Sequence, residues 1–276
     1  MPFNTKIISL AMISCCTSIS LAGCKLSLPG SVQRGVTSVD LEKKLIFDCK
    51  TPPSSSNRIA NNLVFEGREE FLEGRYNAAI DKFTLAIKAD PMFYRAYFDR
   101  ALSYRKSRKY LLAILDYKKA TRVDPKTADA DHCLYDNLAI ALYFLGDYGP
   151  AIVNHDKALQ ISPRNPIVLA NRGVTKEGMR NYVGAIQDYT KALSIDPNSY
   201  TAIVNIGNAL YKNGQYNLSV NYLNQSIDAH DRSIDYVRRG LSLLKLNKFG
   251  DACNDFQMAL AKGNSMPTEY VQSYCH

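Results

Sequence analysis

The sequence contains no tryptophan and only four histidines in 276 residues, and it lacks the motifs of common enzyme classes. It has no Gly-x-Ser-x-Gly motif around a nucleophilic serine and no glycine-rich loop of the kind that binds phosphate groups. None of its histidines is spaced with cysteine or carboxylate residues as metal ligands would be. We therefore expect no metal, no cofactor and no catalytic residue, and a binding protein rather than an enzyme.

Long apolar runs are absent apart from one near the amino terminus. Within residues 1–23, Lys6 is the only charged residue, and the apolar run 7–13 is followed by small residues. This run is too short for a membrane span and is typical of a secretory signal peptide. We predict that residues 1–23 are a leader that directs export.

The leader ends in Leu21-Ala22-Gly23-Cys24, which resembles a bacterial lipobox. The resemblance implies cleavage before Cys24 and lipid attachment to its thiol, and several acyl chains on one terminus hold a protein on a membrane. Because Lys25 is not an aspartate, the resemblance also implies the outer membrane, facing the periplasm or the cell surface. The alternative is an ordinary secretory leader followed by a chance cysteine.

The formal net charge is +8, a sign that would suit a nucleic acid or an anionic membrane. Lysine and arginine are nevertheless interspersed with aspartate and glutamate, and no basic arm is present. The one dense basic cluster, residues 105–109, falls at an expected turn between two helices, where charged side chains are commonly solvated. We therefore expect no nucleic-acid partner.

A repeated pattern of about 34 residues runs from Ala60 nearly to the end of the chain. An Asp-Pro or Ser-Pro dipeptide recurs in the first four copies, with its proline at 91, 125, 163 and 197. If each proline is position 32, the repeats are 60–93, 94–127, 132–165, 166–199, 200–232 and 233–266. Each copy reads as two helices joined by a short turn, and one such pair cannot bury its apolar face without a neighbour.

Three columns of the repeat hold small residues, as is required where two helices touch closely. Position 8 is Gly67, Ala101, Ala139, Gly173, Gly207 and Gly240, and positions 20 and 27 are alanine or serine throughout. Position 17 is tyrosine in five repeats and Phe249 in the sixth. This combination resembles the tetratricopeptide repeat family, over about three quarters of the chain. The resemblance implies an all-α, right-handed solenoid of helix pairs that binds proteins or peptides in a concave groove.

Positions 7 and 23 change together from repeat to repeat. They hold Arg100 with Asp116, Arg172 with Asp188, Arg239 with Asp255 and, with the signs reversed, Glu66 with Lys82. We predict that each set is a structural ion pair between the two helices of one repeat. Losing one partner of a buried pair costs about 3–5 kcal/mol, which explains why the two positions change together. These carboxylates are therefore not interpreted as catalytic.

Position 6 of the first helix carries the candidate binding site. In order along the chain it holds Phe65, Asp99, Asn137, Asn171, Asn205 and Arg238. In the tetratricopeptide repeat family this position faces the concave groove. An asparagine side chain offers an acceptor and two donors, so the three asparagines could hold the backbone of an extended peptide. Asp99 and Arg238 would add opposite charges at the two ends. The alternative is that asparagine is merely tolerated on a solvated helix face.

Two cysteines lie near the carboxyl terminus, Cys253 in the last repeat and Cys275 in an expected capping helix over 267–276. Export would place them in an oxidising compartment, and exported tetratricopeptide repeat proteins are similar in carrying such a pair. We therefore predict a Cys253–Cys275 disulfide. Cys49 and Cys133 have no obvious partner, and a bond between them stays open because connectivity cannot be deduced from sequence.

Two stretches interrupt the repeat pattern. Residues 24–59 show no clear periodicity, and their proline, glycine and serine content predicts a linker between anchor and repeats. Residues 128–131 are an insertion between the second and third repeats. Since four residues are about one helical turn, we expect the first helix of the third repeat to begin one turn early.

These patterns favour a lipid-anchored scaffold that binds protein or peptide partners of the bacterial cell envelope without turnover. Similar tetratricopeptide repeat lipoproteins act as adaptors for cell-wall hydrolases or for pilus secretin assembly, so the resemblance implies such processes. Two alternatives stay open. One is an envelope enzyme or sugar-binding protein whose site combines residues 25–59 with the groove. The other is a secreted effector that acts in a host, which requires the lipobox to be false.

Overall fold

The structure, a computed structural model, describes residues 55–275. In that range it contains fourteen α-helices and no strand, so the predicted all-α class is confirmed. No helix within this range has both the length and the apolar character needed to cross a membrane. The described residues divide into two compact units, the first ending at Asn171 and the second beginning at Arg172, and each is built from helix pairs.

The first unit contains three helix–turn–helix repeats and the start of a fourth. Its helices are α1 (Arg58–Leu72), α2 (Tyr76–Ala89), α3 (Tyr94–Lys106), α4 (Tyr110–Val123), α5 (Pro125–Ala130), α6 (His132–Phe144) and α7 (Tyr148–Ile161). Within the repeats α1 packs on α2, α3 on α4, and α6 on α7. The Asn57 side chain caps α1 by accepting hydrogen bonds from the N–H groups of Ile59 and Ala60, donors that a helix start otherwise leaves unsatisfied.

The second unit begins inside α8 (Pro166–Gly178), whose first turns belong to the first unit. It continues with α9 (Tyr182–Ile195), α10 (Tyr200–Lys212), α11 (Tyr216–His230), α12 (Ser233–Lys245), α13 (Phe249–Ala261) and α14 (Thr268–Tyr274). α10 packs on α9 and α11, and α12 packs on α11 and α13. Asn181 and Ser199 cap α9 and α10 with their side-chain oxygens.

The first helix of every repeat ends in the same left-handed turn. Position 15 has a positive φ in all six repeats, at Gly74, Arg108, Gly146, Arg180, Gly214 and Asn247. The following N–H then donates to the carbonyl at position 11, for example from Arg75 to Glu70 and from Gln215 to Leu210, both at 2.9 Å. This hydrogen bond satisfies a carbonyl at the helix end and turns the chain back towards its partner helix.

Position 8 touches the large side chain at position 24 of the same repeat. A Cβ atom at Gly67 would lie only 2.6 Å from the Phe83 ring, and one at Gly240 only 2.5 Å from the Phe256 ring. Both rings are fully buried, so they have little freedom to move aside. The close approach of the two helices, which the small-residue columns predicted, therefore depends on the missing side chain at these glycines.

The prediction that α6 begins one turn early is wrong. The inserted residues help to form a separate short helix, α5, which is capped where the Asp124 carboxylate accepts a hydrogen bond from the N–H of Thr127 at 3.0 Å. Asp131 then caps α6 by accepting from the N–H groups of Cys133 and Leu134 at 2.9 and 3.2 Å. An aspartate carboxylate satisfies the donors of a new helix start, so two such residues favour two helices over one longer helix.

The predicted capping helix is present as α14, which packs on α13. A disulfide joins Cys253 and Cys275, whose Cα atoms are 5.4 Å apart across a sequence separation of 22. Tyr270 of α14 stacks on the buried ring of Phe256 with the ring centroids 5.1 Å apart. α14 therefore covers an apolar surface at the end of the last helix pair.

Several predictions fall outside the described residues. They are the signal peptide 1–23, the lipidation site Cys24, most of the linker 24–59, and Cys49. Cys133 is described, and its sulfur is in a disulfide bond. A bond between Cys133 and Cys49 therefore stays a prediction.

The shared left-handed turn predicts opposite effects for two substitutions at position 15. Gly214→Ala puts a side chain into the left-handed conformation and should lower the free energy of unfolding by about 1 kcal/mol. Arg180→Gly removes such a strain and should raise it by up to about 1 kcal/mol, since the exposed Arg180 side chain adds no buried surface. Urea unfolding followed by circular dichroism measures both changes. Losses of equal size in the two variants would contradict this account of the turn.

Candidate functional site

We call positions 2, 6 and 9 of the first helix of each repeat the groove positions. They are spaced i, i+4 and i+7, so they share one face of a helix. In the first unit they lie on α1, α3, α6 and the start of α8, and in the second on the end of α8, α10 and α12. The predicted asparagine row is therefore divided, with Asn137 and Asn171 in the first unit and Asn205 in the second.

In the first unit the groove positions change from exposed to buried along the chain. At position 6, Phe65 is 63% exposed, whereas Asp99, Asn137 and Asn171 are 0%, 4% and 1% exposed. At positions 2 and 9, Arg95, Leu102, Cys133 and Ile140 are buried, whereas Asn61 and Arg68 of the first repeat and Ile167 of the fourth are half-buried. Asn137 and Asn171 consequently do not lie on a solvated helix face.

In the second unit the groove positions of α10 and α12 keep partial exposure. They are Thr201, Asn205, Asn208, Ile234, Arg238 and Leu241. Val204 and Val237, which stand next to position 6 in their helices, are buried. This face therefore presents both polar and apolar side chains to solvent, the apolar ones being Ile234 and Leu241 of α12.

Two of the three asparagines keep an amide atom without a hydrogen-bond partner among the described residues. Asn137 Nδ2 donates to the Cys133 carbonyl at 2.8 Å, one turn back in its own helix, while its buried Oδ1 accepts no hydrogen bond there. Asn205 Nδ2 is also buried and donates to no described group. Leaving a buried polar atom unpaired costs about 1–3 kcal/mol, so a bound backbone N–H or C=O group would be stabilised at these two atoms.

Asn171 belongs to a buried polar cluster that sequence analysis missed. Its Nδ2 donates to Asp136 at 3.0 Å, and the other oxygen of Asp136 lies 3.0 Å from Nδ1 of His155. All three side chains are buried. A signal was available, because only the third repeat has a charged residue at position 5 and a histidine at position 24. Two departures in two core columns of one repeat indicate that the residues touch.

Asp99 and Arg238, predicted to charge the two ends of the asparagine row, are each held in an ion pair. The fully buried Asp99 carboxylate lies 2.7 Å from Arg68 Nε and 2.9 Å from Arg95 Nε. Arg238 Nη1 lies 2.9 Å from the buried carboxylate of Asp235. Neither residue therefore offers a free charge to a ligand.

The charged residues at positions 7 and 23 meet in all four repeats that carry them. The closest N···O distances are 2.7 Å for Arg100–Asp116, 2.6 Å for Arg172–Asp188, 2.6 Å for Arg239–Asp255 and 2.5 Å for Lys82–Glu66. Each arginine donates two hydrogen bonds to its carboxylate. The hydrogen bonding to Asp255 raises the pKa of Arg239. These residues join the helices of a repeat and are structural.

One group of side chains in the described part of the chain has the composition of a metal site. The ligand atoms of Asp131, His132 and Cys133 lie within 4.8 Å of one another. Asp131, however, caps α6, and the Cys133 sulfur is in a disulfide, whereas a cysteine binds zinc as a thiolate. We do not interpret this group as a metal site.

Comparison with protein families matches three stretches of the chain to tetratricopeptide repeats. The matched residues are 66–130, 168–199 and 200–229. Among curated proteins, the small glutamine-rich tetratricopeptide repeat-containing protein 2 of Mycosarcoma maydis is 30% identical over 99 residues. That match covers 36% of this chain and 28% of the fungal protein, so it spans less than a third of that relative's length.

Two solved structures, PilW and PilF, resemble the chain in fold. PilW, a widely conserved type IV pilus biogenesis factor, matches 80% of this chain and 100% of its own, with a TM-score of 0.70 and 18% identity. PilF of Pseudomonas aeruginosa matches 78% of this chain and 97% of its own, with a TM-score of 0.64 and 18% identity. At these identities the likeness shows the fold alone.

Two ion pairs of the first unit occupy equivalent positions of the repeat but differ in burial, so one substitution in each can be compared directly. Asp116→Ala leaves the largely buried Arg100 guanidinium without its counter-charge and should lower the free energy of unfolding by about 3 kcal/mol. Glu66→Ala removes the carboxylate at the equivalent pair, whose side chains are 47% and 38% exposed, and should leave stability within error of the parent. Urea unfolding compares the two. Similar losses would show that burial does not set the value of these pairs.

Proposed function

We propose that the chain is a non-catalytic scaffold that binds proteins or extended peptides at its groove positions, because residues 66–130 and 168–229 match tetratricopeptide repeat models. The observation that carries this proposal is the asparagine column at position 6, in which Asn137 and Asn205 each hold a buried amide atom without a partner among the described residues. Asn205, the half-buried member of this column, would donate a hydrogen bond to a main-chain carbonyl of a bound peptide.

Hydrogen bonds from the asparagine amides would recognise the main chain of the ligand rather than its side chains. Every residue except proline offers one N–H and one C=O group, so the asparagines demand little of the ligand's sequence. The half-buried Ile234 and Leu241 of α12 would favour apolar side chains at intervals along the ligand. Affinity would come from apolar burial, while the amide bonds fix the ligand's register.

We further propose that the scaffold acts in a bacterial cell envelope, anchored by lipid on Cys24 and facing the periplasm or the cell surface. The apolar leader and the tetrapeptide that ends in Cys24 support this location. The Cys253–Cys275 disulfide and the oxidised sulfur of Cys133 also support export, because disulfides persist mainly in oxidising compartments. The partners would then be envelope proteins, as in the cell-wall and pilus systems that similar lipoproteins serve.

A photo-crosslinking amino acid at position 205 of the full chain tests the groove in cells. It should capture a small set of envelope proteins, identified by mass spectrometry, that the same probe at the exposed residue Lys191 of α9 does not capture. Asn205→Ala should then weaken binding of the purified partner about tenfold, the loss expected for one hydrogen bond. It should leave stability unchanged, because Asn205 Nδ2 donates to no described group. Identical capture at both positions would reject the groove as the binding site.

Asn205 is a better test position than Asn171. The Asn171 amide donates to the fully buried Asp136, so its removal would leave a carboxylate oxygen short of a donor and lower stability as well as binding. A loss of binding in that variant would not separate the two causes.

Mass spectrometry of the mature amino terminus tests the anchor. The proposal expects a chain that begins at Cys24 and carries diacylglyceryl and acyl groups, and that is released from membranes by detergent but not by salt. Cys24→Ser should abolish the added mass and leave the protein soluble or unprocessed. An unmodified terminus at another residue would refute lipid anchoring and leave the scaffold proposal intact.

A further inference from the structure

The outward side of α4 is apolar over its first two turns. Leu111, Leu112 and Leu115 are 66%, 43% and 63% exposed, and their i, i+1 and i+4 spacing places them on one side of the helix. The other side, which includes Ala113 and Tyr117, is buried where α4 packs on α3 and α6. We call the three leucines the outer patch. No described helix covers them, although burying a leucine side chain is favourable.

Basic side chains stand at both ends of the outer patch. Arg108 and Lys109 precede α4, and Lys118 and Lys119 lie in its third turn; all four are exposed. At a rise of about 1.5 Å per residue, the two groups are about 14 Å apart along the helix. None of the four forms an ion pair with a described residue, and Lys109 donates a hydrogen bond to the neutral amide oxygen of Asn77 at 3.3 Å. Their charges are therefore available to a ligand.

No acidic residue of α4 compensates these charges. Asp116 is the only acidic residue from position 105 to position 123, and its carboxylate is buried and lies 2.7 Å from Arg100 Nε. The outward sides of α2 and α7 are close to neutral, since aspartate and lysine stand together on each. These residues are Asp81, Lys88, Asp156 and Lys157. Positive charge is therefore concentrated around the outer patch.

An apolar patch between two groups of cations suits the surface of an anionic membrane. Leucine side chains are favoured at the boundary between headgroups and acyl chains, and lysine and arginine are attracted to the anionic headgroups. A second copy of the chain suits the patch less well, because a two-fold contact would bring the same cations of both copies together. An amphipathic peptide helix would need a groove between two elements, whereas the outer patch lies on one helix.

We propose that the outer patch binds an anionic membrane surface, with its three leucines inserted at the headgroup boundary and the four flanking cations on lipid phosphates. This contact goes beyond the proposed lipid anchor and does not depend on it. In a chain that is also anchored through Cys24, the patch would add a second contact with the same membrane. It would then fix which side of the first unit faces that membrane.

The chain contains no tryptophan, so one introduced tryptophan reports on one position. Leu112→Trp places it in the outer patch. Leu218→Trp is the matched control, because Leu218 holds the same repeat position on α11, is 49% exposed, and lies in a helix without lysine or arginine. Both are made in the full chain with Cys24→Ser, so that no acyl group contributes. The probes are vesicles of equal parts phosphatidylglycerol and phosphatidylcholine, and vesicles of phosphatidylcholine alone.

With the anionic vesicles, the emission of the Leu112→Trp chain should shift to shorter wavelength and be quenched by brominated acyl chains. It should do neither with phosphatidylcholine alone, and the Leu218→Trp chain should do neither with either vesicle. Salt should weaken the effect, because ions screen exposed charges. Each lysine near an anionic surface contributes about fivefold to binding, so adding Lys118→Glu and Lys119→Glu should lower the affinity at least about 25-fold. Circular dichroism should show that all variants are folded.

Four outcomes would overturn the proposal. They are unchanged emission of the Leu112→Trp chain with anionic vesicles, equal quenching with phosphatidylcholine alone, equal quenching at position 218, and full affinity after both lysines are substituted. A photo-crosslinking amino acid at position 112 that captures an acidic protein in cells, without vesicle binding by the purified chain, would assign the patch to a protein. Failure of the proposed function is distinguishable, because an unlipidated amino terminus or a groove without partners leaves the vesicle results unchanged.

Discussion

The left-handed residue at position 15 is the constraint on which each repeat depends. It ends the first helix at a fixed residue and turns the chain so that the second helix returns alongside the first. Only then does position 8 face position 24, close enough that a Cβ atom at Gly240 would lie 2.5 Å from the Phe256 ring. The same register brings positions 7 and 23 together as ion pairs. The turn therefore sets both the apolar and the charged contacts between the two helices.

Most contacts that recur from repeat to repeat could be predicted from the sequence, whereas the insertion and the Asp136 cluster, which occur once, could not. The columns of small residues and the paired charges at positions 7 and 23 appear in several repeats, and this recurrence distinguishes them from a coincidence in one repeat. Position 15 shows the limit of this approach: it is glycine in three repeats but arginine or asparagine in the others, and backbone conformation does not follow from such a mixture. The insertion at 128–131 is unique, and the competition between a longer α6 and a separately capped α5 is decided by two aspartate side chains.

The candidate site was predicted as a row of similar asparagines, yet their surroundings differ. Residue type and register follow from the sequence, whereas burial depends on what covers a helix face. Asn171 is engaged with Asp136 and His155 in a buried cluster, while Asn205 keeps partial exposure and an amide nitrogen that donates to no described residue. One column thus serves stability in the first unit and remains available for binding in the second. A substitution at position 6 has a different meaning in each unit.

A groove that binds a ligand through hydrogen bonds to its main chain discriminates weakly between ligand sequences. Selectivity must therefore depend on which groove positions a ligand can reach. Access differs between the two units, because the groove positions of α10 and α12 are half-buried, whereas Asp99, Asn137 and Asn171 are almost completely buried. A ligand bound through its main chain would therefore meet accessible groove positions on α10 and α12 and inaccessible ones on α3 and α6.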